Sequence, residues 1–146
     1  METKFLHGIP LFEPLSEKEV SKVANRMEIR QIPKDSIVLN EGEESNSLYV
    51  ILTGKVKVFL VDESGEEVTL NFLGEDDYFG EVSLFDNGVR SASVVTLKDS
   101  YFGVLEKEDF LELISEHPEI VQSIMMDATR RMRDLSNNVR SLAANW

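Results

Sequence analysis

The chain has 146 residues, no cysteine and a formal net charge of −12 from 27 acidic and 15 basic side chains. This length suits one domain that buries roughly two thirds of its unfolded surface, and the absence of cysteine excludes disulfides and thiolate chemistry. The negative charge disfavours a direct nucleic-acid surface, because such surfaces depend on clustered Lys and Arg.

The first 26 residues predict a short irregular segment and then a helix. The N-terminus lacks the long apolar segment of a signal peptide, and no later run is long enough to cross a membrane, so we expect a cytoplasmic protein without membrane contact. Gly and Pro residues interrupt the apolar stretch 5–15. Ser16 and Glu19 have the spacing of a capping box. Apolar residues then follow at helical spacing, which predicts a face packed on the core: Val20, Val23, Ala24 and Met27.

From residue 27 onward the apolar period changes to two, so residues 27–106 predict a series of short strands. Turn signals separate the strands about every 8–12 residues, which favours a sandwich or barrel that hides its edges. A jelly roll meets this condition. Gly42 and Gly54 would permit positive backbone φ angles at the sheet corners. The alternating apolar residues are Ile29, Ile32, Ile37, Leu39, Leu48, Val50, Leu52, Val56, Val58, Leu60, Val68, Leu70 and Phe72.

Residues 79–92, FGEVSLFDNGVRSA, combine a glycine, a short helical turn and one arginine. The first N–H groups of such a turn favour an anion, and Gly80 lets it come close. The planar guanidinium of Arg90 suits a phosphate. Glu81 would repel a phosphate, but its carboxylate can accept hydrogen bonds from sugar hydroxyls. The set therefore predicts a site for a ribose beside a phosphate.

This segment resembles the phosphate-binding cassette of the cyclic nucleotide-binding domain family, in which Phe-Gly-Glu, two small or apolar residues, Leu, a short loop and Arg-Ser/Thr/Ala-Ala recur. Residues 42–58 resemble the same family in their glycine-acid start, four apolar residues and later glycine. The resemblance implies a mainly β fold with flanking helices, namely a cyclic nucleotide-binding β-roll (a double-stranded jelly-roll barrel) with an N-terminal helix and a long C-terminal helix. Ser45 stands where the family usually has Gly, Ala or Cys, and we expect this change to leave the ligand set untouched.

The resemblance also implies a role for each cassette residue. Glu81 would bind the ribose 2′-hydroxyl and Arg90 the cyclic phosphate, while Ser91 and the 80–83 backbone would bind the remaining phosphate oxygens. Val89 stands where the family usually has proline, which bacterial transcription-factor members often lack. The implied ligand-binding residues are Phe79, Gly80, Glu81, Val82, Ser83, Arg90, Ser91, Ala92 and Ser136.

After the cassette, residues 91–96 and 101–105 predict the last strands, and residues 107–116 predict a helix. Pro118 suits the first turn of a longer helix that reaches about residue 142. Its apolar residues form one stripe with spacings of three or four, and the spacings of four, three, four and three at its end resemble a coiled-coil seam that pairs with a second copy. The alternative is that the helix packs only on its own domain. The residues of the stripe are Ile120, Ile124, Ala128, Met132, Leu135, Val139 and Leu142.

In bacterial regulators of the family that this chain resembles, the matching helix forms the dimer and covers the nucleotide base. This match implies that Ser136 contacts the base, although Leu135 occupies the place of a neighbouring polar residue. Four arginines give the same helix a local positive charge, and we interpret them as a solvated face: Arg130, Arg131, Arg133 and Arg140.

No motif for catalysis is present in the sequence. His7 and His117 are the only histidines and lie 110 residues apart, so we expect no metal site and no cofactor. A Gly-x-Ser-x-Gly elbow and a Walker loop are also absent. We therefore expect the protein not to be an enzyme, and a jelly-roll enzyme is the least favoured alternative.

We predict that residues 1–146 form a single domain with a helical segment (1–26), a β-roll (27–106) and C-terminal helices (107–146). Its predicted function is that of a stand-alone regulatory sensor that binds cyclic AMP, with cyclic GMP as the second choice because family members selective for cyclic GMP often have threonine in place of Ser91. The expected partners are the nucleotide, a second copy and an unknown downstream protein. The alternatives are a fragment of a longer protein and a protein-interaction module that has lost nucleotide binding.

Overall fold

The computed structural model describes residues 6, 8–85 and 89–144, of which 82, 83, 138, 139 and 141–144 are described by their backbone only. The helices are α1 (Glu17–Arg26), α2 (Val82–Phe85), α3 (Lys107–Glu116) and α4 (Glu119–Ala144), and a 3-10 turn spans Pro10–Phe12. The strands are β1 (Glu28–Ile32), β2 (Ile37–Leu39), β3 (Ser47–Thr53), β4 (Val56–Val61), β5 (Glu67–Leu73), β6 (Tyr78–Phe79), β7 (Ser93–Thr96) and β8 (Ser100–Glu106).

The strands form two four-stranded antiparallel sheets, with the orders β1-β8-β3-β6 and β2-β7-β4-β5. One apolar cluster lies inside the roll, where Tyr49 stacks on Phe79 at 5.1 Å between ring centroids and Phe102 meets both rings edge-on. The second cluster packs the helices and the N-terminal segment against the first sheet. The predicted fold, a mainly β jelly roll with flanking helices, is confirmed.

The structure has the predicted start of α1 and the predicted positive φ angles at two sheet corners. The Ser16 hydroxyl accepts a hydrogen bond from the Glu19 N–H, and the Glu19 carboxylate accepts one from the Ser16 N–H, so the capping box at the start of α1 is confirmed. Gly42 and Gly54 have φ angles of +84° and +116°. The predicted turn at residues 86–88 lies outside the described residues.

The long helix α4 has two different parts. Ile120 and Ile124 are buried against their own domain, whereas Met125 and Met132 are 64% and 67% exposed. The domain itself therefore covers the first two residues of the predicted stripe, which precede the part whose spacing predicts the seam. Val139 and Leu142 lie outside the described side chains. No helix within the described ranges is long and apolar enough to cross a membrane.

A bulge in the β4–β5 hairpin changes the direction of the side chains near the middle of β5. Val58 pairs with Asn71, but the next residue, Phe59, pairs with Thr69, so Leu70 is the extra residue. Strand neighbours normally point to opposite faces, and a bulge can direct them to the same side. Leu70 and Asn71 both line a cavity as a result.

Candidate functional site

A cavity of about 290 Å³ lies between the second sheet, residues 79–92 and α4. This volume lies just below the usual range for small-molecule sites. Its wall is mainly apolar on the sheet and carries charged groups at the cassette and on the helix. The lining residues are Leu39, Val58, Leu70, Asn71, Leu73, Phe79, Gly80, Glu81, Arg90, Ser91, Ala92, Val94, Arg131, Asp134 and Leu135.

Arg90 is only 3% exposed and its guanidinium points back to the Gly80 turn. Nη1 donates to the Gly80 carbonyl at 3.1 Å, and Nη2 donates to the Ser45 hydroxyl at 2.8 Å and the Ser47 carbonyl at 2.9 Å. Burial lowers the pKa of Arg90 from its ordinary value, and an arginine remains charged even so. The expectation that Ser45 lies apart from the ligand set is wrong, because its hydroxyl accepts a hydrogen bond from this arginine.

Gly80 permits the close approach of Arg90. Its φ angle is +91°, and a Cβ atom on this residue would lie 2.6 Å from Arg90 Nη1 and 2.8 Å from the Ser47 carbonyl oxygen. Any larger residue would push the guanidinium away from the turn. The position of the Arg90 guanidinium therefore depends on residue 80 being a glycine.

Glu81 forms an ion pair with Arg131 of α4, with 3.0 Å between Oε1 and Nη1. The Glu81 side chain is 16% exposed and that of Arg131 is 29% exposed, so the pair is largely screened from water. Arg131 Nη2 also donates to the Tyr78 carbonyl at 3.2 Å. The interpretation of Arg131 as part of a solvated face is wrong, because this side chain belongs to the cavity wall.

The other predicted site residues are divided between the wall and its surroundings. Phe79, Ser91 and Ala92 line the cavity. Val82 and Ser83 form the start of α2, and their side chains lie outside those described. Ser136 is exposed on α4 and is not part of the wall. The polar and charged wall residues that the sequence did not predict are Asn71, Arg131 and Asp134.

The pairing of β4 with its two neighbouring strands shows how far apart the two ends of the cavity are. Val94 of β7 and Asn71 of β5 both pair with Val58 of β4, so the three residues form one row across the sheet and face the cavity together. Two strand spacings separate Val94 from Asn71 by about 10 Å. Arg90 lies three residues before Ser93, the first residue of β7, so the charged end and the Asn71 end lie on opposite sides of β4. This arrangement suits a ligand with an anionic end and an extended polar end.

A second cavity of about 390 Å³ lies between α1 and α3, on the helical side of the domain. Arg26 of α1 crosses it to pair with Asp109 and Glu112 of α3. His117 contacts Glu19 and Glu119 at its edge. These contacts connect α1 with α3 and with the segment before α4. In the part of the chain that the structure describes, no three His, Asp or Glu side chains are grouped to hold a metal ion.

The chain is similar to known cyclic nucleotide receptors. A family model described as the cyclic nucleotide-binding domain matches residues 29–117. The Cyclic AMP receptor protein of Thermus thermophilus is 35% identical over 129 residues, which are 88% of this chain and 60% of that protein.

Two solved structures extend this similarity to the fold. The Thermus thermophilus catabolite activator protein superposes with a TM-score of 0.80 at 34% identity, over 92% of this chain and 63% of that chain. The regulatory domain of Toxoplasma gondii PKA, co-crystallised with cAMP, has a TM-score of 0.69 at 26% identity, over 76% of this chain and 42% of that chain.

The chain spans 52–64% of the length of the curated relatives that it matches. These relatives are regulatory proteins by name, which agrees at family level with the expectation of a non-catalytic protein. Several are named as cAMP-activated transcriptional regulators. The names of these relatives therefore do not support the expectation of no direct nucleic-acid partner.

Proposed function

The chain belongs to the cyclic nucleotide-binding domain family, and on that premise we propose that it is a sensor that binds cyclic AMP in the 290 Å³ cavity. The observation that carries the proposal is the meeting of Gly80, Glu81 and buried Arg90 on one cavity wall. Cyclic GMP is the alternative ligand. The names of the relatives, which include receptors and regulators for cyclic AMP, support the first choice.

In this proposal the charged end of the cavity holds the phosphate and the ribose. Arg90 donates to the cyclic phosphate from its fixed position, and the 80–83 backbone and Ser91 donate to the other phosphate oxygens. Hydrogen bonds to charged groups contribute about 1.5–3 kcal/mol each. Glu81 uses one carboxylate oxygen for Arg131, and its second oxygen accepts from the ribose 2′-hydroxyl.

The base extends toward the Asn71 end of the cavity. Leu70 and Leu135 offer apolar contact to its faces, and the Asn71 amide and the Asp134 carboxylate offer polar contact to its edge. Adenine presents an amino donor beside a ring-nitrogen acceptor, which an amide can bind at two points. Ser136 remains a predicted base contact that lies outside the wall described above.

Signalling in this proposal depends on α4, which contributes part of the wall and continues beyond it. Nucleotide binding favours whichever helix position completes the cavity, since a ligand shifts an equilibrium only by its differential affinity. A coupling of about 1–3 kcal/mol is ordinary for such systems. The exposed half of α4 then pairs with a second copy and passes the change to a downstream protein.

Isothermal titration calorimetry with cyclic AMP and cyclic GMP tests the proposal. We expect saturable binding by the unmodified chain and its loss in Arg90→Ala, because truncation leaves the phosphate charge unpaired at a cost of about 2–5 kcal/mol. Arg90→Lys keeps the charge but not the planar fork, so we expect it to bind weakly. Arg133→Ala removes the same charge from an exposed position on α4 and should leave the affinity unchanged.

Two outcomes would overturn the sensor proposal. If neither nucleotide gives heat with the folded, unmodified chain, the alternative of an interaction module that has lost its ligand is favoured. If Arg90→Ala and Arg133→Ala weaken binding equally, the effect is one of net charge and the cavity is not the site. Circular dichroism of each variant establishes that the comparison is made between folded proteins.

A further inference from the structure

Helix α4 contacts both the side-chain hydroxyl and the backbone carbonyl of one residue of β6, Tyr78. The Tyr78 hydroxyl donates to Asp127 Oδ2 at 2.8 Å, and the Tyr78 carbonyl accepts from Arg131 at 3.2 Å. The Arg131 guanidinium also lies over the tyrosine ring, 5.2 Å from its centroid. Asp127 and Arg131 are four residues apart, so they project from the same face of the helix.

The position of Tyr78 itself is fixed by the core. The side chain is only 4% exposed and belongs to the cluster between the helices and the first sheet. Burial, and then the hydrogen bond to Asp127, raise the pKa of Tyr78 above its ordinary value, so the hydroxyl keeps its proton and remains a donor. A helix that binds this hydroxyl is therefore bound to a fixed point of the roll.

This fixed point determines where Arg131 lies. Tyr78 immediately precedes Phe79, Gly80 and Glu81, and Arg131 pairs with Glu81 on the cavity wall. Neither Tyr78 nor Asp127 lines the cavity. If α4 moved away from Tyr78, Arg131 would leave Glu81 and the cavity would lose one of its walls.

We propose that Tyr78 and Asp127 are positioning residues for nucleotide binding, which hold α4 so that Arg131 stays at the cavity. The inference rests on the proposed function and adds a pair of residues that act by holding α4, and above all Arg131, at the cavity. With Arg131 in place, the wall carries two guanidinium groups beside Glu81, while Asp134 lies at the solvent-exposed edge. A phosphodiester anion is favoured by this arrangement.

The expected effect on affinity follows from the fraction of molecules in which α4 contacts Tyr78 and Arg131 lies at the cavity, which is the binding-competent arrangement. The apparent dissociation constant equals the intrinsic constant divided by that fraction. Tyr78→Phe keeps the ring and the carbonyl and removes only the hydroxyl, which is worth about one ordinary hydrogen bond. We expect cyclic AMP to bind Tyr78→Phe roughly threefold to tenfold more weakly. The matched control is Tyr101→Phe, which changes a 42% exposed tyrosine on β8 and should leave the affinity unchanged.

Two further comparisons separate positioning from a general loss of structure. Asp127→Asn retains an oxygen that can accept from Tyr78 and should keep most of the affinity, whereas Asp127→Leu should match Tyr78→Phe. In an Arg131→Gln background the main group that Tyr78 positions is absent and only Leu135 and Asp134 still depend on α4, so Tyr78→Phe should have a smaller effect than in the unmodified chain. Effects that simply add in the double variant would overturn the inference.

Amide hydrogen exchange of the nucleotide-free chain tests the same contact without a ligand. Tyr78→Phe should speed exchange in residues 119–135 relative to Tyr101→Phe, because α4 detaches more often. Unchanged exchange in this segment would overturn the positioning role even if nucleotide binds. If the unmodified chain binds no nucleotide, the proposed function fails, and the exchange result still decides whether Tyr78 and Asp127 hold the helix.

Discussion

The strongest constraint at the scale of a single residue is the backbone at Gly80. A side chain at a φ angle of this kind costs about 1–2 kcal/mol, and at Gly80 a Cβ would also meet the Arg90 guanidinium at 2.6 Å. We expect Gly80→Ala to reduce the free energy of unfolding by this strain and by about 1–3 kcal/mol more for overpacking. We also expect it to abolish nucleotide binding, because the guanidinium must move.

Gly65 provides a matched control for this prediction. Its φ angle is +89°, and a Cβ there would have no atom within 4 Å. Gly65→Ala therefore carries the backbone strain without the clash, and its nucleotide affinity should equal that of the unmodified chain. Urea denaturation and calorimetry on both variants make the comparison. Equal loss of stability in the two variants would contradict the role assigned to the contact with Arg90.

For single residues, the sequence predicted contacts between positions that are close in the chain. It did not predict contacts that depend on how α4 packs against the roll. The chain from Gly80 to Arg90 is short, so its motif could predict that both residues lie close together. Arg131 is one of four arginines on α4, and the presence of four arginines does not indicate which of them the domain covers. A signal was present, because Arg131 lies seven residues after buried Ile124 and therefore on the same helix face.

At the scale of elements, the β4–β5 hairpin depends on one turn residue, Asp62. Its Oδ1 atom accepts hydrogen bonds from the Ser64 N–H, the Ser64 hydroxyl and the Glu66 N–H. The Ser64 side chain first, and then the Glu66 N–H, lower the pKa of Asp62 below its ordinary value of 3.8. A lowered carboxyl pKa adds stability above the pKa of the unfolded chain and loses it as the pH falls through the folded pKa.

We therefore expect Asp62→Ala to lower the melting temperature at neutral pH, with a difference that shrinks below about pH 4 as the native carboxylate is protonated. Thermal melts followed by circular dichroism between neutral and acid pH measure this. Glu63→Ala removes the adjacent exposed carboxylate and should leave the melting temperature nearly unchanged at every pH. A difference that stayed constant across this pH range would exclude the carboxylate as its cause.

Element positions were largely predictable, whereas the pairing of strands was not. Apolar period and turn residues mark the helix 107–116 and the strands from β1 to β8, because these signals lie within each element. The order β1-β8-β3-β6 pairs residues that are far apart in the chain, such as Glu28 and Val104, which are separated by 76 positions. The bulge at Leu70 likewise depends on the partner strand β4, so alternation in β5 alone predicted a regular strand.

At the scale of the whole molecule, the exposed half of α4 presents an apolar stripe that its own domain does not cover. Met125, Ala128, Met132 and Leu135 are exposed and spaced three, four and three residues apart. This spacing is that of a coiled-coil seam. The sequence alone predicted one continuous stripe, and only the docking of Ile120 and Ile124 divides it into a half for this domain and a half for a partner.

We expect two copies of the chain to associate through this stripe, since a second identical helix offers the complementary apolar surface in a two-fold arrangement. Met132→Glu places a carboxylate in the seam of both copies and should convert the dimer to a monomer at micromolar concentration. Met126 is 60% exposed on a different face of the same helix, because each residue advances by about 100°. Met126→Glu should therefore leave the dimer intact. Sedimentation velocity distinguishes the two species, and a monomeric unmodified chain, or equal dissociation of both variants, would refute this surface as the interface.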